Sequence, residues 1–166
     1  MERHLVALWL SATIIVAGTT AQIQLEETSE LKQKALEHTL EKFYSSKEVI
    51  NGFALVSIQE ATETEFSAGT FVRLQLKLKQ TNCNKNNRAR ADCKVLRNGR
   101  EMSCYSCFKF ASADEMVVSP FVDCLPAHQL RKEREGMRAK SCKYIEDKDE
   151  SGLGFPGVFS FSKSYA

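Results

Sequence analysis

The chain has 166 residues, with 23 Lys and Arg against 21 Asp and Glu, and a formal net charge of +2. That balance is too mild to imply a nucleic-acid partner by itself, since phosphate affinity needs a concentrated cationic field. With six cysteines, three histidines and 43% hydrophobic residues, the composition fits a globular chain. No Ser/His/Asp or Cys/His constellation is visible, so no catalytic residue is expected and the chain does not read as an enzyme.

Met1-Glu2-Arg3-His4 precedes an apolar run from Leu5 to Gly18, and Thr19-Thr20-Ala21 offers small residues for a signal peptidase. Residues 1–21 therefore read as a secretory signal cleaved after Ala21. A bilayer span needs about 20 apolar residues, and this run is shorter. The mature chain, of about 145 residues, suits one domain with its own core.

Cys83, Cys93, Cys104, Cys107, Cys124 and Cys142 all lie beyond the signal. An even count in an oxidising compartment predicts three disulfides. Cys104-Tyr105-Ser106-Cys107 lacks the helix start that would lower a thiol pKa, which argues against a redox motif. His38 and His128 have no ligand spacing to a cysteine, so no metal or other cofactor is expected. No Asn-x-Ser/Thr sequon occurs.

Residues 27–45 predict a helix. Leu36, Leu40, Phe43 and Tyr44 recur at helical spacing, Leu31 and Ala35 extend the stripe, and Thr28 or Ser29 caps it. After Gly52, residues 53–58 read as a strand, and 62–68 as a polar loop. Residues 71–79 give the clearest strand. Val72, Leu74, Leu76 and Leu78 share one face, while Arg73, Gln75, Lys77 and Lys79 share a wet one.

Residues 82–92 read as a loop whose flanking Cys83 and Cys93 are expected to close on each other. Asn98-Gly99 signals a hairpin into a strand over 102–110. On that strand Cys104 and Cys107 point to opposite faces, so each should bond elsewhere. Pro120 and Pro126 bracket an expected turn around Cys124. Residues 127–140 are charged and only partly helical in pattern, with Gly136 interrupting, and 143–145 read as a last strand. The sum is α+β: one helix, the only available cover, on an antiparallel meander of about four strands.

The end of the chain, Gly154-Phe155-Pro156-Gly157-Val158-Phe159-Ser160-Phe161-Ser162, holds three of the ten phenylalanines. Its alternation from Val158 favours a half-buried strand. The other option is a loose peptide that inserts into a partner, since aromatic rings give contact area with few torsions to fix. Pro156-Gly157 suits a type II turn. Two basic runs stand out: Lys85, Arg88, Arg90, Lys94, Arg97 and Arg100, and then Arg131, Lys132, Arg134, Arg138 and Lys140. They suit heparan sulfate or anionic membranes, or equally a solvated surface.

A helix wrapped by a cystine-bearing antiparallel sheet resembles the cystatin/cathelicidin superfamily. Several segments are similar to one branch of it, the secreted chemoattractant and adipokine precursors. These are residues 68–74, 77–83, Cys93-Lys94-Val95, Asn98-Gly99-Arg100, Cys104-Tyr105-Ser106-Cys107 and 155–163. The resemblance implies pairs Cys83–Cys93, Cys104–Cys124 and Cys107–Cys142. It implies a domain over 22–145, a flexible C-terminal tether and receptor-activating peptide over 146–162, and a propeptide over 163–166 that extracellular proteases remove between Ser162 and Lys163. The exposed peptide would then activate a chemokine-like G-protein-coupled receptor through Phe155, Pro156, Gly157, Phe159, Phe161 and Ser162.

The chain would act as a secreted monomer with inflammatory, chemotactic or antimicrobial roles and no nucleic-acid partner. The alternative is a cationic, cathelicidin-like host-defence or glycosaminoglycan-binding protein. Gly154 stands where the branch usually begins its peptide with tyrosine. Cystatin inhibitors carry a Gln-x-Val-x-Gly hairpin, whereas the expected turn here is Gln80-Thr81-Asn82-Cys83-Asn84.

Overall fold

The computed structural model describes residues 29–67 and 69–150, apart from the side chains of 148–150. Helix α1 spans Glu30–Ser45, and Ser29 caps it by accepting a hydrogen bond from the Lys32 amide at 3.3 Å. Strands β1 (Asn51–Phe66), β2 (Gly69–Asn84), β3 (Glu101–Phe110) and β4 (Val117–Pro126) form one antiparallel sheet in chain order. Helix α2 spans Lys132–Glu150. A helix on a four-stranded antiparallel meander is the expected architecture, although its fourth strand is Val117–Pro126 and not residues 143–145.

The core lies between α1 and the sheet. Val72, Leu74, Leu76 and Leu78 of β2 are at most 1% exposed, each burial stabilising by roughly 1.5–3 kcal/mol. The buried line of α1 is Ala35, Thr39 and Phe43, with Leu31, Leu36, Leu40 and Tyr44 on its flanks. Thr39 is polar but satisfied: its hydroxyl donates to the Ala35 carbonyl and shares a bond with Ser106 Oγ, both at 2.7 Å. Tyr44 fastens the far end of α1, since its hydroxyl donates to the Phe53 carbonyl and accepts from the Phe53 amide.

Several expectations are corrected. Strand β1 runs through the supposed loop at 62–68 as far as Phe66, with bulges along the way. Gly69 then turns at φ +129°, where a Cβ would lie 2.1 Å from the Phe110 carbonyl oxygen, so only glycine fits. Gln80 to Asn84 is not a turn but the end of β2, which also shortens the expected loop at 82–92. The segment around Pro120 and Pro126 is strand β4; it lies at the sheet edge, where a missing amide breaks no ladder.

Residues 143–145 are helical rather than a strand, and residues 146–150, read as the start of a tether, continue the same helix. Gly136 lies within it. Helix α1 is thus not the only cover: α2 packs on the opposite face, against β3 and β4. A second cluster sits there, made of Phe71, Cys107, Cys142 and Ile145 with Phe66, Tyr105 and Phe121 at its rim.

Candidate functional site

Of the residues expected to carry function, Phe155, Pro156, Gly157, Phe159, Phe161, Ser162 and Lys163 lie outside the described residues, as does the expected signal over 1–21. The structure describes the platform from which the C-terminal segment departs, together with the basic loop.

The platform is built from β3, β4 and α2. Cys104 and Cys124 face each other across the β3–β4 ladder and are bonded, with Cα atoms 4.0 Å apart. Cys107, on the other face, is bonded to Cys142 of α2 with Cα atoms 5.7 Å apart. This bridge closes a loop of 35 residues, a constraint worth roughly 3–4 kcal/mol against the unfolded chain. Opposite side-chain directions at positions three apart along β3 give the two cystines separate faces.

One turn before Cys142, Arg138 is only 2% exposed. Its Nε donates to Asp123 Oδ2 at 2.7 Å, and its Nη atoms donate to Ser103 Oγ, the Ser103 carbonyl and the Asp123 carbonyl at 3.2, 2.9 and 3.0 Å. Arg134 adds a fork on the same carboxylate, at 3.1 and 2.5 Å. Burial pushes the Asp123 carboxyl up, but the bonds from both arginines outweigh it and hold the pKa below the usual value. A charged helix is thereby seated on a sheet with little apolar area. The sequence signal for this clamp was the pair Arg134 and Arg138, one turn apart on one helix face.

The basic loop is mostly committed to its own fold. The Lys85 ammonium donates to the Tyr44 and Ser46 carbonyls at 3.4 and 3.2 Å and so caps the end of α1. Arg88 stacks over the Tyr44 ring at 4.3 Å, and Arg90 forks onto Asp92. Arg100 donates to Gln80 Oε1 at 3.3 Å. Lys94 and Arg97 are exposed. Cys83 and Cys93 are joined with Cα atoms 5.5 Å apart. Asp92 lies near both sulfurs, but a cystine has no thiolate to offer a metal.

Comparison with known proteins gives the lineage. Residues 15–107 match the family model of the cystatin domain. Retinoic acid receptor responder protein 2 of Homo sapiens is 34% identical over 168 residues, covering 99% of this chain and 98% of the relative. The chain belongs to the chemerin family of cystatin-domain proteins. The Bos taurus chemerin, retinoic acid receptor responder protein 2, is 34% identical over 140 residues, covering 83% of this chain and 86% of the relative. Dimeric human cystatin F overlays 58% of this chain and 79% of its own at 24% identity, with a TM-score of 0.45.

Chemerin-family membership fits a chain with three structural disulfides and, among the described residues, no helix long and apolar enough to cross a membrane.

Proposed function

We propose that the chain is a secreted precursor whose C-terminal peptide, residues 155–162, activates a chemokine-like G-protein-coupled receptor after proteases remove residues 163–166. The observation that carries this reading is the extent of the match. Similarity to chemerin spans 99% of the chain, so it includes the aromatic end as well as the cystatin core.

The core supports the reading through its anchoring. Cys107–Cys142 and the Asp123 clamp tie α2 to the sheet, so the chain beyond Glu150 begins from a fixed helix. In a receptor cavity the peptide folds at Pro156-Gly157. Phe159 and Phe161 then fill apolar sub-pockets, each worth roughly 1.5–3 kcal/mol on complete burial. Trimming leaves a carboxylate at Ser162, which basic or backbone donors can capture. In the untrimmed chain Lys163 places a cation at that point, so the mask is both steric and electrostatic.

The test is receptor signalling by full chains ending at Ser162 and at Ala166. The Ser162 form is expected to be at least tenfold more potent, and Phe159→Ala or Phe161→Ala to remove most of that potency. Equal potency of the two forms rejects the mask.

A further inference from the structure

Strand β4 is an edge strand, and its register fixes which of its residues face α1. Pro120, Val122, Cys124 and Pro126 stand opposite Phe108, Ser106, Cys104 and Met102 of β3, and Ser106 is bonded to Thr39 of α1. Alternation along the strand puts all four on the face that α1 covers. The cover is incomplete. Val72, Leu74, Leu76 and Leu78 of β2 are sealed, whereas Val122, Cys124 and Pro126 are only half-buried and Pro120 is exposed.

Two recesses, of about 280 and 500 Å³, lie between α1 and this strand. Lys42 and Val122 line both, so the recesses adjoin there and run on as one groove along the α1–β4 seam. The apolar walls of the smaller are Val49, Phe53, Met102, Val122, Cys124 and Pro126. The larger is floored by Phe108, Val117, Pro120 and Val122. From Pro120 to Pro126 the strand advances about 20 Å, so the groove is elongated. Mostly apolar hollows of this size with a few polar groups are typical of small-molecule sites.

Charge is not spread evenly along the groove. Lys42 and Arg100 line the smaller recess, with Glu48 against them. Ser46 lines it too, and the Lys85 ammonium lies 3.2 Å from the Ser46 carbonyl. Three cations against one carboxylate leave that end positive, and Lys85 offsets the negative helix terminus that would otherwise repel an anion. At the larger recess the Glu41 side chain is 75% exposed, 3.5 Å from His38 Nδ1, so its charge is spent in water rather than over the floor.

We propose that the seam binds one free long-chain carboxylate, a fatty acid. Its head lies between Lys42 and Arg100, and its chain passes Val122 to rest on Phe108, Val117 and Pro120. A groove positive at one end and apolar along its length suits a ligand with one anionic end and a slender apolar body. The site is built from α1, β3 and β4 and does not depend on the role of the C-terminal peptide.

Titration calorimetry of the full secreted chain with laurate, kept below its micelle concentration, tests the site. One laurate per chain is expected, and lauryl alcohol, of the same length but uncharged, should bind about tenfold more weakly. Lys42→Ala with Arg100→Ala should erase that preference, which a merely structural role would leave intact. Val122→Trp fills the shared wall and should block laurate. Should that variant fail to fold, Pro120→Trp, at an exposed position, takes its place. Equal affinity for acid and alcohol, or laurate binding unchanged by the tryptophan, overturns the proposal. So does binding to vesicles of anionic phospholipid with none to monomeric laurate, which would make the seam a membrane contact. Absence of laurate binding to the wild-type chain, whether the seam is closed or filled by another segment, overturns it as well.

Discussion

The two faces of the sheet are held by different physics. On the α1 side the strand residues alternate cleanly, and Val72, Leu74, Leu76 and Leu78 meet Ala35 and Phe43 in a continuous apolar core. On the α2 side a highly charged helix is attached by one cystine, one carboxylate shared by two arginines, and a small cluster around Ile145. The first face should respond to the volume of its side chains and hardly to pH. The second should respond to redox state and acid, and it is the face whose helix leads to the C-terminal segment.

Substitutions can break that contrast in order of size. Leu76→Ala, emptying a fully buried position, is expected to cost about 4 kcal/mol in urea unfolding. It should loosen the whole domain, α1 included. Replacing Cys107 and Cys142 together with alanine should cost about 3 kcal/mol, with the gain in amide exchange concentrated in α2. If α1 and α2 loosened equally in that double variant, the two faces would not be separable.

Asp123→Asn leaves the Arg138 guanidinium buried without its counter-charge and should cost about 2 kcal/mol. The same residue gives the acid response its sign. The folded-state pKa of Asp123 is depressed, so its stabilisation is present above the ordinary carboxylate pKa and is lost as pH falls through the folded value. Urea midpoints followed downward through the ordinary carboxylate range should therefore fall less steeply in Asp123→Asn than in the wild type. Identical slopes would place the acid sensitivity elsewhere.

The smallest effect concerns the basic loop. Four of its six cations are engaged within the chain, so retention on heparin should vanish by about physiological salt, where screening acts over about 8 Å. Lys94→Ala with Arg97→Ala should change it less than twofold. Tight, salt-resistant retention would revive the glycosaminoglycan reading.

The same contrast explains what the sequence made legible. Apolar alternation in β2 and helical spacing in α1 located one face, and the opposite directions of Cys104 and Cys107 anticipated a bond to each side of the sheet. The second face carried no such pattern. Its helix has neither an apolar stripe nor an uninterrupted run of good helix formers, and Gly136 suggested a break. Position 136 is open, with no atom within 4 Å of where a Cβ would sit, so glycine there answers no packing demand. Pro120 and Pro126 pointed away from a strand because their tolerance depends on β4 lying at an edge, a fact of topology. The aromatic end was legible as a peptide of distinctive chemistry, and its role came from the family resemblance rather than from its periodicity.

The most direct measurement of the functional claim pairs C-terminal mass spectrometry with receptor signalling on the same fractions of secreted protein. The account predicts that activity follows the fraction ending at Ser162 and that the fraction ending at Ala166 is weak. Full activity in material that still ends at Ala166 would contradict it.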